Sequence, residues 1–183
     1  MAPGLRAAGF GTFFVPQSEV GDIDGLLEAF AWAAESDHVD YIGMSILAIP
    51  NAFGVEKDNK LQRFLSRWKF FQLLDERGIL QSIVDNGKLI HLLGMVDGPN
   101  EITLARYMDL VDTWDSSAAI WAGLNNITFD NSPTGLVDGK FEKEVDFDYM
   151  LSTNDIDTTL KLISNCALNI HTIDKLMRNS FYE

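Results

Sequence analysis

KLIHLLGM, Lys88 to Met95, is the stretch on which the fold turns. Apart from Lys88 and His91 it is apolar, and it reads as one short strand. A strand apolar along nearly its whole length is expected in a parallel sheet covered on both faces. Its neighbours fit that reading. Upstream, a helix over about Lys60 to Arg77 carries Leu61, Phe64, Leu65, Trp68, Phe71 and Leu74 as a core-packing stripe, and Gly78 stops it. Before it come the loop IPNAFGVEKDN and a second apolar strand, DYIGMSIL, Asp40 to Leu47. Further upstream, Asp22 to Glu35 repeats Ile23, Leu26, Leu27, Phe30 and Ala34 at helical spacing, with acids at its start where the helix dipole favours them. GTFFVP, Gly11 to Pro16, supplies the first strand. Downstream, VDGPN sets Pro99 near the start of a helix over Ile102 to Leu110, and Asp112 to Trp121 contains a fourth strand.

Strands alternating with helices predict parallel βα units. About four are legible, spanning roughly residues 10–126. A polar loop or hairpin follows over 127–150, and C-terminal helices occupy 151–183: Asp155 to Cys166 after the cap signals Ser152, Thr153 and Asn154, then a short helix over Ile170 to Arg178. A full (β/α)8 barrel takes roughly 250 residues. The 183 residues therefore form one domain that is either an open α/β sheet or part of a barrel.

Composition narrows the class. Hydrophobic residues make up 46% and charged residues 22%, as in a soluble globular domain. No apolar run approaches the roughly 20 residues of a membrane-spanning helix, and the N-terminus lacks a leader pattern. The single Cys166 excludes an internal disulfide and a multi-cysteine zinc site, which points to an intracellular setting and to no metal or other cofactor. The net charge of −13 opposes generic nucleic-acid binding. A local basic track remains: Lys60, Arg63 and Arg67 share a helix face, either as a solvated surface or as a phosphate track.

Parallel α/β folds gather functional groups at the C-terminal ends of strands. Those ends hold Pro16, Gln17 and Ser18; Gly43, Met44 and Ser45; Leu93, Gly94 and Met95; and Asp115, Ser116 and Ser117. Glycines there let a flat ligand approach the backbone, and Gln17 can read the edge of a base or amide. Alternation sets Asp115 on one face with Thr113 and Ser117, and Asp112 on the other with Trp114 and Ser116. Unless the strand bulges, the two acids cannot then line one pocket, so one acid acts, if either does. His38, His91 and His171 lack metal-like spacing, and His91 reads as a hydrogen-bonded strand residue. No phosphate loop, dinucleotide fingerprint or nucleophile elbow is present.

FFVPQ, YIGMS, IHLLGM with GPNEI, and VDTWDSS follow one another in the order of motifs in the tRNA-guanine transglycosylase superfamily, which this sequence resembles over about Gly11 to Asn126. Members are (β/α)8 barrels that exchange guanine in nucleic acid for a 7-deazaguanine base. The resemblance covers the second half of such a barrel. It implies that Asp115 is the nucleophile that attacks the ribose anomeric carbon, and that Gln17 hydrogen-bonds the base. By the same resemblance, Gly43 and Met44 present backbone to the base's carbonyl edge, Leu93 and Gly94 form its floor, and Asp112 is structural. The family's zinc site and its arginine-rich segment after the nucleophile have no counterpart. SSAAIWAGLN and GKFEKEVDFD look more like virus-type relatives that insert 7-deazaguanines into DNA. Such a relative would be cytoplasmic, or would act in a host's cytoplasm.

Half a barrel leaves open strand edges. The resemblance implies tRNA or DNA and a 7-deazaguanine base as partners, and the open edges imply a complementary half-barrel chain or a second copy, with no membrane. The chain would be a fragment, one half of a split enzyme, or a dimer that closes its own edges. A second reading keeps the fold without the reaction, as a binding or assembly subunit.

Overall fold

In the computed structural model, residues 4, 7–56, 59–94, 111–129 and 155–178 are described. Four strands form one all-parallel sheet in the order β1-β2-β3-β4. They are β1 (Phe13–Phe14), β2 (Tyr41–Ser45), β3 (Leu89–Leu93) and β4 (Thr113–Asp115). Between the first three lie helices α1 (Ile23–Glu35), α2 (Ala48–Ala52), α3 (Lys60–Glu76) and α4 (Ile79–Asp85). Helices α5 (Ala118–Leu124) and α6 (Ile156–Arg178) follow β4. The chain divides into two compact units, one of residues 1–96 with 110–115, the other of 97–109 with 116–183.

The first unit is an α/β sheet. Its register pairs Phe13 with Tyr41, Tyr41 with Leu89, Gly43 with His91, His91 with Thr113, and Leu93 with Asp115. Parallel crossovers share one hand, so a sheet built in sequential order receives its helices on one side. Burial follows. Ile42, Met44, Ile90 and Leu92 on that side are at most 3% exposed, in a core with Leu26, Phe30, Phe70, Leu74 and Ile83. The Phe30 and Phe70 rings meet edge to face at 5.0 Å. Each such aliphatic side chain contributes about 1.5–3 kcal/mol on burial.

The other side departs from the expectation of two covered faces. Phe13 is 46% exposed and Asp115 62%. β3 alternates between buried and half-buried residues instead of being buried throughout. Its apolar composition reflects an open face that is itself apolar and aromatic.

Acids close the starts of the strands. Asp40 Oδ2, just before β2, accepts from Thr12 N at 2.7 Å and from Thr12 Oγ1 at 3.1 Å. Asp112 Oδ2, just before β4, accepts from Ile90 N at 2.7 Å. Each carboxylate satisfies an amide on the neighbouring strand before the ladder begins. Lys88 Nζ adds bonds to the Ser36 and Val39 carbonyls, both at 2.8 Å. Helix starts follow the same economy of donors and acceptors. Asp22 Oδ1 accepts from Gly25 N at 2.9 Å, and Asn59 Oδ1 from Gln62 N at 3.0 Å.

Several elements differ from the sequence reading. Residues 49–52, expected as loop, belong to α2, because Ser45 Oγ accepts from both Leu47 N and Ala48 N and starts the turn. Gly78 ends α3 in the left-handed conformation but launches α4 at once. The buried side of α3 is Ser66, Arg67, Phe70, Phe71 and Leu74. Leu61 and Leu65 are 59% and 47% exposed, so the stripe expected on the core is rotated. The fourth strand is only three residues long, and Ala118 to Trp121 belong to a helix. The helix over 102–110, the polar region 130–150 and the Ser152–Asn154 cap signals lie outside the described residues.

The second unit, so far as it is described, is helical. The two C-terminal helices expected from sequence are one helix, α6, started by Asp155, whose Oδ1 accepts from Thr158 N and Oδ2 from Thr158 Oγ1, both at 2.8 Å. Asn169, fully buried, pins α6 to α5 and its following turn. Its Nδ2 donates to the Ala119 and Ile127 carbonyls, and its Oδ1 accepts from Phe129 N. Cys166 is buried as expected. Its thiol donates to Ile120 O, and desolvation raises its pKa above the ordinary thiol value.

Candidate functional site

Asp115 ends β4 on the open face, two residues beyond Thr113 on the same side. His91 stands opposite Thr113 on β3, so its ring reaches both. His91 Nε2 lies 2.9 Å from Asp115 Oδ1, and His91 Nδ1 lies 2.8 Å from Thr113 Oγ1. A carboxylate only accepts, so Nε2 carries the proton and donates. In the neutral ring Nδ1 then accepts from the Thr113 hydroxyl. Gly94 N donates to the same Asp115 Oδ1 at 3.2 Å. Both donors converge on one carboxylate oxygen. Among the described residues, Oδ2 makes no hydrogen bond, and the side chain is 62% exposed while His91 is 18% exposed.

The aromatic neighbours complete a wall. The Phe13 ring meets His91 edge to face at 5.3 Å and stacks toward Tyr41 at 6.4 Å. It also lies over Gly43: a Cβ there would fall 2.9 Å from two Phe13 ring carbons. The glycine at this strand end admits a flat group, and that group is the protein's own phenylalanine.

At Gly94 the backbone turns with φ +72°, and a Cβ would lie 2.9 Å from Ile46 Cγ2. Only glycine fits there, and its amide is thereby aimed at Asp115.

Of the residues singled out from sequence, Gly43, Leu93 and Asp115 share one face by register, and Gly94, just past β3, joins them through its amide bond to Asp115. Met44 does not: its side chain is fully buried on the helix-covered side, and its carbonyl accepts from Arg67 Nη2 at 3.0 Å. Gln17 is exposed beyond β1, and it makes no hydrogen bond among the described residues. Asp112 belongs to the opposite end of the sheet, bonded to Ile90 N. Thr113 and Phe13 were not singled out, although the two-residue strand period sets Thr113 beside Asp115.

The basic track is neither a solvated face nor a phosphate track at Arg67. That residue is 3% exposed, and its guanidinium bonds the Gly94 and Met44 carbonyls at 2.7 and 3.0 Å. Arg63 Nη2 bonds Ile46 O at 3.0 Å. The legible signal was Arg67's position, three and four residues before Phe70 and Phe71 on one helix face.

Among the described residues, no group of three or more His, Cys, Asp or Glu could hold a metal ion. Nor is any described helix long and apolar enough to cross a membrane. Comparison with family models, curated proteins and solved structures found no match.

The arrangement suits two kinds of chemistry. An aspartate with one oxygen held by two donors and the other open can serve as an oriented nucleophile or as a base.

Proposed function

We propose that this chain carries the nucleophile of a base-exchange transglycosylase, built as the C-terminal half of a (β/α)8 barrel. Its substrate class is a guanine-bearing nucleic acid, tRNA or DNA, together with a 7-deazaguanine base. The observation that carries the reading is the division of labour at Asp115. His91 and Gly94 hold Oδ1, and Oδ2 makes no hydrogen bond among the described residues, on a side chain that is largely exposed.

In the proposed reaction Asp115 Oδ2 attacks C1′ of the nucleotide. The C1′–N9 bond breaks as the C1′–O bond forms, and guanine leaves as its N9 anion, which takes a proton from water. The incoming 7-deazaguanine gives its N9 proton to the hydroxide so formed, and its N9 displaces the carboxylate from C1′, which restores Asp115. The His91 Nε2–H bond fixes the carboxylate's rotation, so the attack does not wait on a freely turning side chain. The wide exposure of Asp115 supports a requirement for a covering partner, because water at the site would hydrolyse the intermediate. Within the first unit, a sheet with its described helices on one face is what half a barrel would look like, and the missing half or a second copy would supply that cover.

The test is base exchange, with labelled guanine released from tRNA and from DNA in the presence of the complementary half. Exchange that Asp115→Asn abolishes supports the reading. Full exchange in Asp115→Asn refutes it.

A second reading is favoured by two observations: the Phe13 ring occupies the space over Gly43, and Gln17 stands apart from Asp115's hydrogen-bond network. The chain would then be a binding or assembly subunit that keeps the fold without the reaction. Calorimetry with 7-deazaguanine decides between them. Binding that weakens in Gln17→Ala supports the enzyme, and weak binding indifferent to that change supports the subunit.

A further inference from the structure

We infer that Arg67 is a positioning residue for Asp115 and acts through Gly94. Beyond Ser66 its side of α3 is apolar and aromatic, with Phe70, Phe71 and Leu74 buried one and two turns further on. An aliphatic side chain would pack there without bringing a charge out of water. The guanidinium instead spans the C-terminal ends of two adjacent strands, with Nη1 donating to Gly94 O at 2.7 Å and Nη2 to Met44 O at 3.0 Å. A planar fork with donors on separate nitrogens can hold two carbonyls at a fixed separation, which a lysine ammonium cannot do as rigidly. One turn earlier, Arg63 Nη2 holds Ile46 O at 3.0 Å, and Ile46 N donates to Leu93 O at 3.0 Å.

These bonds converge on Gly94. Its carbonyl is committed to Arg67 behind the sheet end, and its amide to Asp115 Oδ1 in front. Its left-handed backbone packs against Ile46, itself tied at both its amide and its carbonyl. A single residue therefore links the guanidinium to the carboxylate. Release of the carbonyl frees Gly94 to rotate, and the amide loses its aim. Asp115 is then held by His91 alone. The consequence for catalysis rests on Asp115 being the reacting group, whereas the geometric linkage does not.

Amide NMR of the full chain tests the linkage without any substrate. The Gly94 amide proton should shift as Asp115 ionises, and that response should vanish in Asp115→Asn. The Ile90 amide, bonded to Asp112 Oδ2, is the internal control for an intact sheet. In Arg67→Met the Gly94 response should fall at least about twofold, since a charge-assisted bond is sensitive to aim, while the Ile90 response stays. Arg67→Lys should restore part of it. An unchanged Gly94 response in Arg67→Met, with Ile90 intact, overturns the inference. Should Arg67→Met fail to fold, Arg67→Lys alone decides: a reduced Gly94 response supports the linkage and an undiminished one refutes it. Because no activity is read, failure of the transglycosylase reading leaves this result standing, and the converse also holds.

Discussion

The two faces of the sheet are built from the same few strands, yet they do opposite things. On the covered face Ile42, Met44, Ile90 and Leu92 are at most 3% exposed and meet helices. On the open face Phe13, His91, Thr113 and Asp115 meet one another, with Phe13 and Asp115 about half exposed or more. One face holds the fold together, and the other carries oriented polar groups that a core would not need. Neighbouring residues on one strand should therefore respond differently to the same substitution.

The largest separation is expected for Asp115→Asn. Under the proposed function, loss of the nucleophile costs on the order of 10⁴-fold or more in rate, while stability should barely change because the side chain is exposed. Exchange assays beside thermal melts check both halves. Next come Leu92→Ala and Leu93→Ala, adjacent residues on opposite faces of β3. Leu92→Ala should cost about 2–5 kcal/mol through the cavity it leaves. Leu93→Ala should cost roughly 1 kcal/mol or less, as at a partly exposed position. Urea titration of the two variants measures the difference. Equal losses would mean that the open face is covered in solution.

Asp112→Ala removes a different kind of aspartate. Without its carboxylate the Ile90 amide loses its partner, at a cost of about 1–3 kcal/mol, and the His91–Asp115 pair should be undisturbed by NMR. The smallest effect belongs to Asp155, whose bonds from Thr158 hold its carboxyl below the ordinary carboxylate value. A lowered folded-state pKa contributes stability above the unfolded value of 3.8, and that contribution is lost as pH falls through the folded value. Asp155→Ala should slightly lower the melting temperature at neutral pH and lower it less in strong acid.

Much of the covered face was legible because period and spacing are local properties. Leu26, Leu27, Phe30 and Ala34 repeat at helical spacing, and all are buried on α1. The strand cores at Ile42 and Ile90 stand out as short apolar runs between turns. The all-parallel α/β sheet followed from that alternation. The failures were non-local. AAIWAG is too short an apolar run for its period to separate strand from helix, and packing of α5 on α6 decides it. Arg67 looked like a surface cation, because nothing in α3 itself says that two strand-end carbonyls wait within reach.

The site was legible in part for the same reason. Asp115 and Gly94 were visible as strand-end residues, and the two-residue period separated Asp115 from Asp112. The His91 contact depends on the β3–β4 register, which pairs His91 with Thr113 and Leu93 with Asp115 across a gap of about twenty residues in sequence. Gly43 looked like room for a ligand because Phe13, thirty residues away, could not be seen to fill it.

The reactivity assigned to Asp115 is tested most directly by trapping. The chain, its complementary half and a guanine-bearing nucleic acid are quenched under denaturing conditions, digested, and mapped by mass spectrometry. A glycosyl adduct on the peptide containing Asp115, absent from Asp115→Asn, is the expected result. An adduct on any other residue, or exchange that proceeds in Asp115→Asn with the same adduct yield, would contradict it.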